Sequence, residues 1–248
     1  MDERVAGFFN DQAADYHASA DESDIGRMGM GGYHVRTAAA IKAQIAGRVL
    51  CVGGLWSRMN PEVLGSCEVT VVDLSADMLS HYQELGVELM VGDARSLAVG
   101  DNTFDHVVFP LVLHHITDQS GVVARSNVRR ALAEARRVLK PGGRIWISEF
   151  SVSRPVYAAE ILLAPVTSRA LGLKGIPLVV MHHADFYQKS LREQGFGDIA
   201  LKPIQATRAS PFDLIQPVIG LPMLRVPRFM YPVTPVLITA RSEPPAAR

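Results

Sequence analysis

Residues 48–73 read RVLCVGGLWSRMNPEVLGSCEVTVVD, and the two ends of this stretch decide the fold. Arg48–Gly53 is a short apolar run closed by glycines, and Cys67–Asp73 is a second run closed by an acid. Continuous apolar runs of this length, without polar alternation, mark strands buried on both faces. Working outward, Val87–Val91, Phe104–Phe109 and Arg144–Phe150 read as a third, fourth and fifth strand. Between the last two, Val128, Leu132, Ala135 and Leu139 recur every three or four residues, which predicts a helix that Pro141 and Gly142-Gly143 bring to an end. Strands alternating with helices predict a parallel sheet with helices on both faces.

Further along, residues 151–181 are apolar and broken by Pro155, Pro165 and Pro177, and Ala184 to Gln194 reads as a helix. Ile199–Ile204 and Pro235–Ala240 predict two strands forming an antiparallel edge pair, because no good crossover helix lies between them. In that interval Pro217, Pro222 and Pro227 forbid a regular helix over the apolar stretch Ile215–Tyr231. Its role stays open between core packing, pocket closure, a dimer contact and a membrane surface. Toward the N-terminus, residues 5–20 read as an amphipathic helix, the four glycines of 24–32 as a hinge or loop, and 34–46 as helix again.

Composition limits the function. The 248 residues carry 25 basic and 25 acidic side chains, so there is no surplus to neutralise phosphates and no nucleic-acid partner is expected. The run Arg129–Arg130 with Arg136–Arg137 predicts a solvated helix face. Cys51 and Cys67 sit in strand-like runs as free thiols, and no metal-ligand spacing is present. The start of the chain lacks signal-peptide character and no apolar run is long enough to span a bilayer. A cytoplasmic protein acting on a small molecule is expected, with a homodimer left open.

In an open parallel sheet, ligands bind beyond the carboxyl ends of the strands. The first strand ends in Gly53-Gly54, the second in Asp73 and the third in Gly92-Asp93-Ala94. Glycine lets backbone approach a ligand, and an acid roughly 20 residues further on can accept ribose hydroxyls, although an aspartate after a strand is also a common helix cap. No lysine follows the glycines, which excludes a P-loop.

The segments RVLCVGG, VTVVDLSADML, VGDARSL, NTFDHVVFPLVLHHI and ALAEARRVLKPGGRIWISEF, in that order, resemble successive motifs of class I S-adenosylmethionine-dependent methyltransferases. The nearest branch acts on quinones and other small molecules, and the resemblance covers roughly residues 45–150. It implies a Rossmann-like α/β fold: seven strands, mostly parallel, helices on both faces and an antiparallel last strand. A helical lid would occupy residues 1–46, the cofactor-binding domain 47–248, and an inserted substrate cap about 151–183. S-adenosyl-L-methionine would be the cofactor, with Gly53 and Gly54 along its methionine part, Asp73 on the ribose and Leu74 against the adenine. Asp93 and Ala94 would sit at the adenine edge, and Phe109 and Pro110 would face the methionine moiety. Phe8, Phe9 and Tyr16 are similar to the family's lid, with Gly26–Gly32 as its hinge. The chain departs from the family pattern at Cys51, where an acid is usual, and at Leu55 and Ser57, where glycines are usual, and it places Trp56 in that loop.

Methyl transfer needs the nucleophile held in line and water excluded, with a base where the acceptor carries a proton. The candidates are His114 and His115 after the fourth strand and His182, next to His183, before a helix; Glu149 and Tyr157 are weaker ones. Adjacent histidines point different ways, so neither pair is a metal site by itself. Ile161, Leu162, Leu163, Val166, Leu171 and Leu173 would form an apolar wall over the substrate. The expected activity is methylation of a small, largely apolar metabolite in biosynthesis. Two alternatives remain: attack within or transfer of the cofactor's aminocarboxypropyl arm, releasing methylthioadenosine, or a non-catalytic protein of the same fold.

Overall fold

A computed structural model of the chain describes residues 5–11, 33–42, 44–54, 65–117, 120–204, 215–218, 221–227, 230 and 232–243. Five parallel strands form its centre: β1 (Gly47–Val52), β2 (Cys67–Asp73), β3 (Glu88–Val91), β4 (Phe104–Pro110) and β5 (Leu139–Val152). Beyond β5 lie β9 (Val233–Ser242) and β6 (Phe196–Pro203), giving a seven-stranded sheet ordered β3-β2-β1-β4-β5-β9-β6. Only β9 runs against the others, paired with β5 from Arg144↔Arg241 to Val152↔Val233 and with β6 on its other side. The antiparallel pair expected near the C-terminus is therefore present. Two further short strands, β7 (Ile215–Val218) and β8 (Leu221–Pro227), pair with each other in the proline-spaced stretch that the sequence left open.

Residues 5–11 form helix α1, and α2 spans Tyr33–Lys42. The others are α3 (Ala76–Ser80), α4 (Gly121–Val138), α5 (Arg154–Gly172) and α6 (Ala184–Glu193). Both faces of the sheet are covered, which is why its strands read as unbroken apolar runs. Leu50 and Val52 of β1 face one layer with Val128, Leu132 and Ala135 of α4, whereas Val49 and Cys51 face the other with Ile41 of α2 and Leu79 of α3. Burial pushes the Cys51 thiol up to about 12, with Cys67 a lesser cause, so it stays protonated.

Three readings of the sequence change. First, β5 starts directly at the end of α4: Phe104 pairs with Leu139 and His106 with Arg144, so the Lys140–Gly143 turn bulges out between paired residues. Second, the arginine run is no bare solvated face. Arg137 bridges Glu134, Asp101 and the carbonyls of Leu97 and Val99, Arg129 pairs with Glu193 over the Phe186 ring, and Arg136 donates to the Glu243 carbonyl.

Third, residues 154–172 are one helix. Pro155 stands at its start, where a missing N–H costs nothing, and Pro165 lies inside it. Pro165 cannot donate to the Ile161 carbonyl one turn back. That same stretch of α5 lies against the start of α4, where a Cβ on Gly121 would be 2.9 Å from Ile161 Cα and from its carbonyl oxygen. Gly121→Ala should force the two helices apart and lower stability by about 1–3 kcal/mol, the usual cost of overpacking. Thermal and urea unfolding of both proteins measure it, and an unchanged melting temperature would show that the helices can part without cost.

Candidate active site

The strand order reverses between β1 and β4, and a cleft opens there beyond the carboxyl ends of the strands. It encloses about 800 Å³ of space including its open mouth. Gly53, Asp73, Leu74, Asp93, Ala94 and His115 all line it. Residues 20 and 40 positions apart in the chain thus meet because parallel strands all end at the same edge of the sheet.

Gly53 has φ 83° and donates its N–H to the Val72 carbonyl at 2.7 Å. A Cβ at this position would collide with the Val112 side chain, so only glycine keeps this corner of the cleft open. Gly54 is different: it is buried, a Cβ there would stand 2.9 Å from the Tyr82 hydroxyl, and it does not line the cleft.

Asp73 ends β2. Its Oδ1 accepts the Ser75 N–H at 2.8 Å, and among the described residues no cation pairs with it. Burial pushes its carboxyl up to about 6, against the backbone N–H groups of Ser75 and Leu74 that pull it down. Ser75 in turn caps α3, accepting the Met78 N–H at 3.0 Å, and its hydroxyl donates to Asn10 of α1 at 2.5 Å. Asp73 is therefore not itself the cap; the serine two residues later does that work.

Asp93 is already engaged. Arg95 grips both of its oxygens, with Nη2 2.7 Å from Oδ2 and Nε 2.9 Å from Oδ1, and the Arg95 N–H adds a turn bond at 2.9 Å. Burial alone would raise this carboxyl, but the Arg95 side chain outweighs it and holds Asp93 below the usual carboxylate range.

At the end of β4 the sequence reading needs correction. Phe109 is wholly buried in the core beneath α4, and neither it nor Pro110 lines the cleft; Leu111 and Val112 do. Leu111 reaches that position with φ 56°, a left-handed conformation that leucine rarely adopts, and no sequence signal announces it. The histidines also separate. His115 lines the cleft edge-on to Phe9 of α1, ring centroids 5.1 Å apart, and burial, then His114, holds its imidazole well below the ordinary range. His114 turns inward and donates Nδ1–H to Glu149 Oε2 at 2.7 Å. Glu149, wholly buried at the end of its run in β5, also accepts the Leu113 N–H at 2.7 Å and the Phe150 N–H at 3.3 Å.

His182 lies outside the cleft, fully buried, stacked on Phe186 and edge-on to Tyr157. Burial, more than the neighbouring His114 and the Arg125 and Arg129 cations, pushes it down to about 3, so it is neutral. His183 accepts the Asp185 N–H and caps α6. No residue of 151–183 lines the cleft; Leu162, Leu163, Val166 and Leu173 face outward, so the expected apolar wall is not formed by them. That segment instead braces the wall from behind, with Thr117 donating to the Leu178 carbonyl at 2.5 Å and Val180 N–H to the His114 carbonyl at 3.2 Å. Tyr16, Leu55, Trp56, Ser57 and the glycines of 26–32 lie outside the described residues. Sequence reasoning missed Val5, Met78, Arg95 and Ile116 in the lining; only Arg95, two residues past an aspartate that favours such turns, left a local signal.

A doubly wound sheet with an acid at the tip of each of two adjacent strands, both opening on one cleft at the switch point, defines an α/β enzyme domain of the nucleoside-cofactor type. Residues 49–147 match the family described as Methyltransferase domain. A demethylmenaquinone methyltransferase of Streptomyces griseus is 31% identical over 176 residues, covering 67% of this chain and 72% of that one. That of Renibacterium salmoninarum is 29% identical, and the alignment spans 60% of each chain, less than two thirds of that relative's length. The Burkholderia thailandensis 1,6-didemethyltoxoflavin-N1-methyltransferase, solved with S-adenosylhomocysteine, superposes with a TM-score of 0.58 at 19% identity over 98% of this chain and 88% of that one. The chain belongs to the class I S-adenosylmethionine-dependent methyltransferase family.

The Glu149 contacts generate a test. Glu149→Ala would leave the Leu113 N–H and His114 Nδ1–H buried without acceptors, at a cost of about 2–5 kcal/mol. Urea unfolding should show this loss, and a variant as stable as the parent would refute the bracing role.

Proposed function

We propose that the protein transfers a methyl group from S-adenosyl-L-methionine to a small, largely apolar acceptor of quinone type. The observation that carries this reading is the meeting of Gly53, Asp73 and Asp93 on one cleft. The cofactor supplies an electrophilic methyl group on a sulfonium; the remaining work falls to the chain.

The residues fit that cofactor. Asp73 is a half-buried acceptor with no cationic partner among the described residues and a raised carboxyl pKa, the state expected of a group awaiting a pair of hydroxyl donors. Gly53 clears the corner for the methionyl part. Leu74 and Met78 offer apolar faces to an adenine, with Ala94 and the Arg95-held Asp93 at its edge. Leu111 and Val112 take the place first assigned to Phe109 and Pro110. Val5 and Phe9 of α1 close the far side, which supports the assignment of residues 1–46 as a lid, with Tyr16 in it and 47–248 as the cofactor-binding domain.

Of the three candidate histidines we assign the acceptor's contact to His115, the one that lines the cleft. Kept neutral, it can accept a hydrogen bond from an acceptor hydroxyl and orient it, while Phe9 and Ile116 exclude water. His114 acts through the turn it anchors, and His182 is a core residue. Cysteines that remain free thiols, and relatives named for demethylmenaquinone methylation, support a cytoplasmic biosynthetic role.

Three outcomes are expected. Asp73→Ala should weaken S-adenosylmethionine binding by about 1–3 kcal/mol through loss of charge-assisted hydrogen bonds, and calorimetry showing equal affinity would remove the ribose assignment. With the free-protein carboxyl at about 6, protonation below that pH removes the acceptor, so affinity should fall toward tenfold per pH unit, a dependence absent from Asp73→Asn. His115→Ala should cut turnover by about 100-fold with S-adenosylmethionine affinity kept. Product analysis decides the reaction itself: S-adenosylhomocysteine agrees with methyl transfer, and methylthioadenosine refutes it.

A further inference from the structure

Between Arg154 and Arg169 the outer face of α5 is apolar. Ala158, Ala159, Leu162, Leu163, Pro165 and Val166 are all exposed, and exposure reaches 79% at Leu162 and 90% at Leu173 just past the helix. Between Arg154 and Arg169 the only charged residue is Glu160, and its carboxylate turns inward to accept the Met181 N–H at 2.7 Å. The patch continues onto α4, since Gly121 packs directly on Ile161 and exposes Val122 and Val123 beside it. Six of the nine large apolar side chains exposed among the described residues belong to this one surface. A surface helix ordinarily carries polar residues outward; this one buries Ala164, Ser168 and Leu171, packs Val156, Tyr157 and Ile161 partly against the core, and presents Leu162, Leu163 and Val166 to solvent. Contiguous exposed apolar area of this kind marks an interaction site.

Charge selects the occupant. Arg169 lies on the same stripe as Leu162, Val166 and Leu173, at helical spacing, and Lys174 follows; both are exposed and no exposed acid lies between residues 154 and 175. A second copy of this face would bring no carboxylate to answer those cations, whereas lipid phosphates would. The helix is about 28 Å long, and no helix among the described residues is long and apolar enough to cross a membrane. The geometry suits a helix lying in the plane of an interface with leucines in the acyl region and cations at the headgroups.

We propose that the exposed face of α5, with Val122 and Val123, docks the protein on an anionic lipid bilayer. Val122 and Val123 stand at the start of α4, only a few residues after His115 and Ile116 of the cleft wall, so docking would hold the cleft close to the lipid.

Co-sedimentation of the full chain tests it, using vesicles of phosphatidylcholine alone and of phosphatidylcholine mixed with phosphatidylglycerol. The protein should pellet with the anionic vesicles, and less so at high salt. Leu162→Glu with Val166→Glu should reduce that partition roughly tenfold or more, and Arg169→Glu with Lys174→Glu should remove the preference for anionic lipid. Both double variants should keep the parent's melting temperature and its S-adenosylmethionine affinity. Parent protein that stays in the supernatant, or the leucine–valine variant pelleting as the parent does, overturns the proposal. So does a concentration-dependent dimer broken by that variant, which would assign the face to a second copy. Cofactor affinity in the same samples separates the two readings: binding of S-adenosylmethionine without lipid defeats only the docking face, and lipid binding without S-adenosylmethionine defeats only the proposed reaction.

Discussion

Glu149 sits at 0% exposure and accepts N–H bonds from Leu113, His114 and Phe150. A carboxylate withdrawn from water is expensive unless its lone pairs are filled, and three donors from two segments fill them here. The consequence is mechanical. The chain leaving β4 makes one more backbone bond to β5, Leu111 N–H to the Ser148 carbonyl, and the Glu149 carboxylate then ties the following turn to β5 through Leu113 and His114. Leu111 is driven into a left-handed conformation, His114 is drawn inward and His115 is left facing the cleft. One buried acid thus sorts two adjacent histidines into different jobs.

The opposite wall carries two carboxyl groups held in different ways. Asp93 is neutralised by Arg95 within its own turn, whereas Asp73, on the adjacent strand, has only backbone N–H donors among the described residues and carries a raised carboxyl. The contrast separates a carboxylate paired with a cation in its own turn from one held only by backbone N–H groups among the described residues. Ser75 provides the helix cap that an aspartate at this place would otherwise supply. Through Asn10 the same serine ties α1 to the cleft's edge.

Helix α5 shows how a sequence assembled for packing and one assembled for contact differ. Its prolines do not break it: Pro155 needs no donor at the first turn, and Pro165 gives up a bond where α4 presses close. Ala164, Ser168 and Leu171 are buried, and Val156, Tyr157 and Ile161 pack partly against the core. Leu162, Leu163 and Val166, read from the sequence as part of an apolar wall, face outward instead.

The order of strands and helices, the antiparallel partner at the C-terminal end and the acids at the strand tips were all legible in the sequence. They depend on periodicity and on residues adjacent in the chain: Val49 to Val52 are apolar in succession because both sheet faces are covered, and Asp73 follows directly on such a run. What each side chain meets was decided by tertiary structure alone. Nothing near Glu149 in the chain points to Leu113 and His114, which lie 36 and 35 residues away. Nor does the alternation of residues 155–173 say which of two apolar helix faces will be covered, because burial is a property of what packs against a helix, and that partner, α4, comes from an earlier part of the chain.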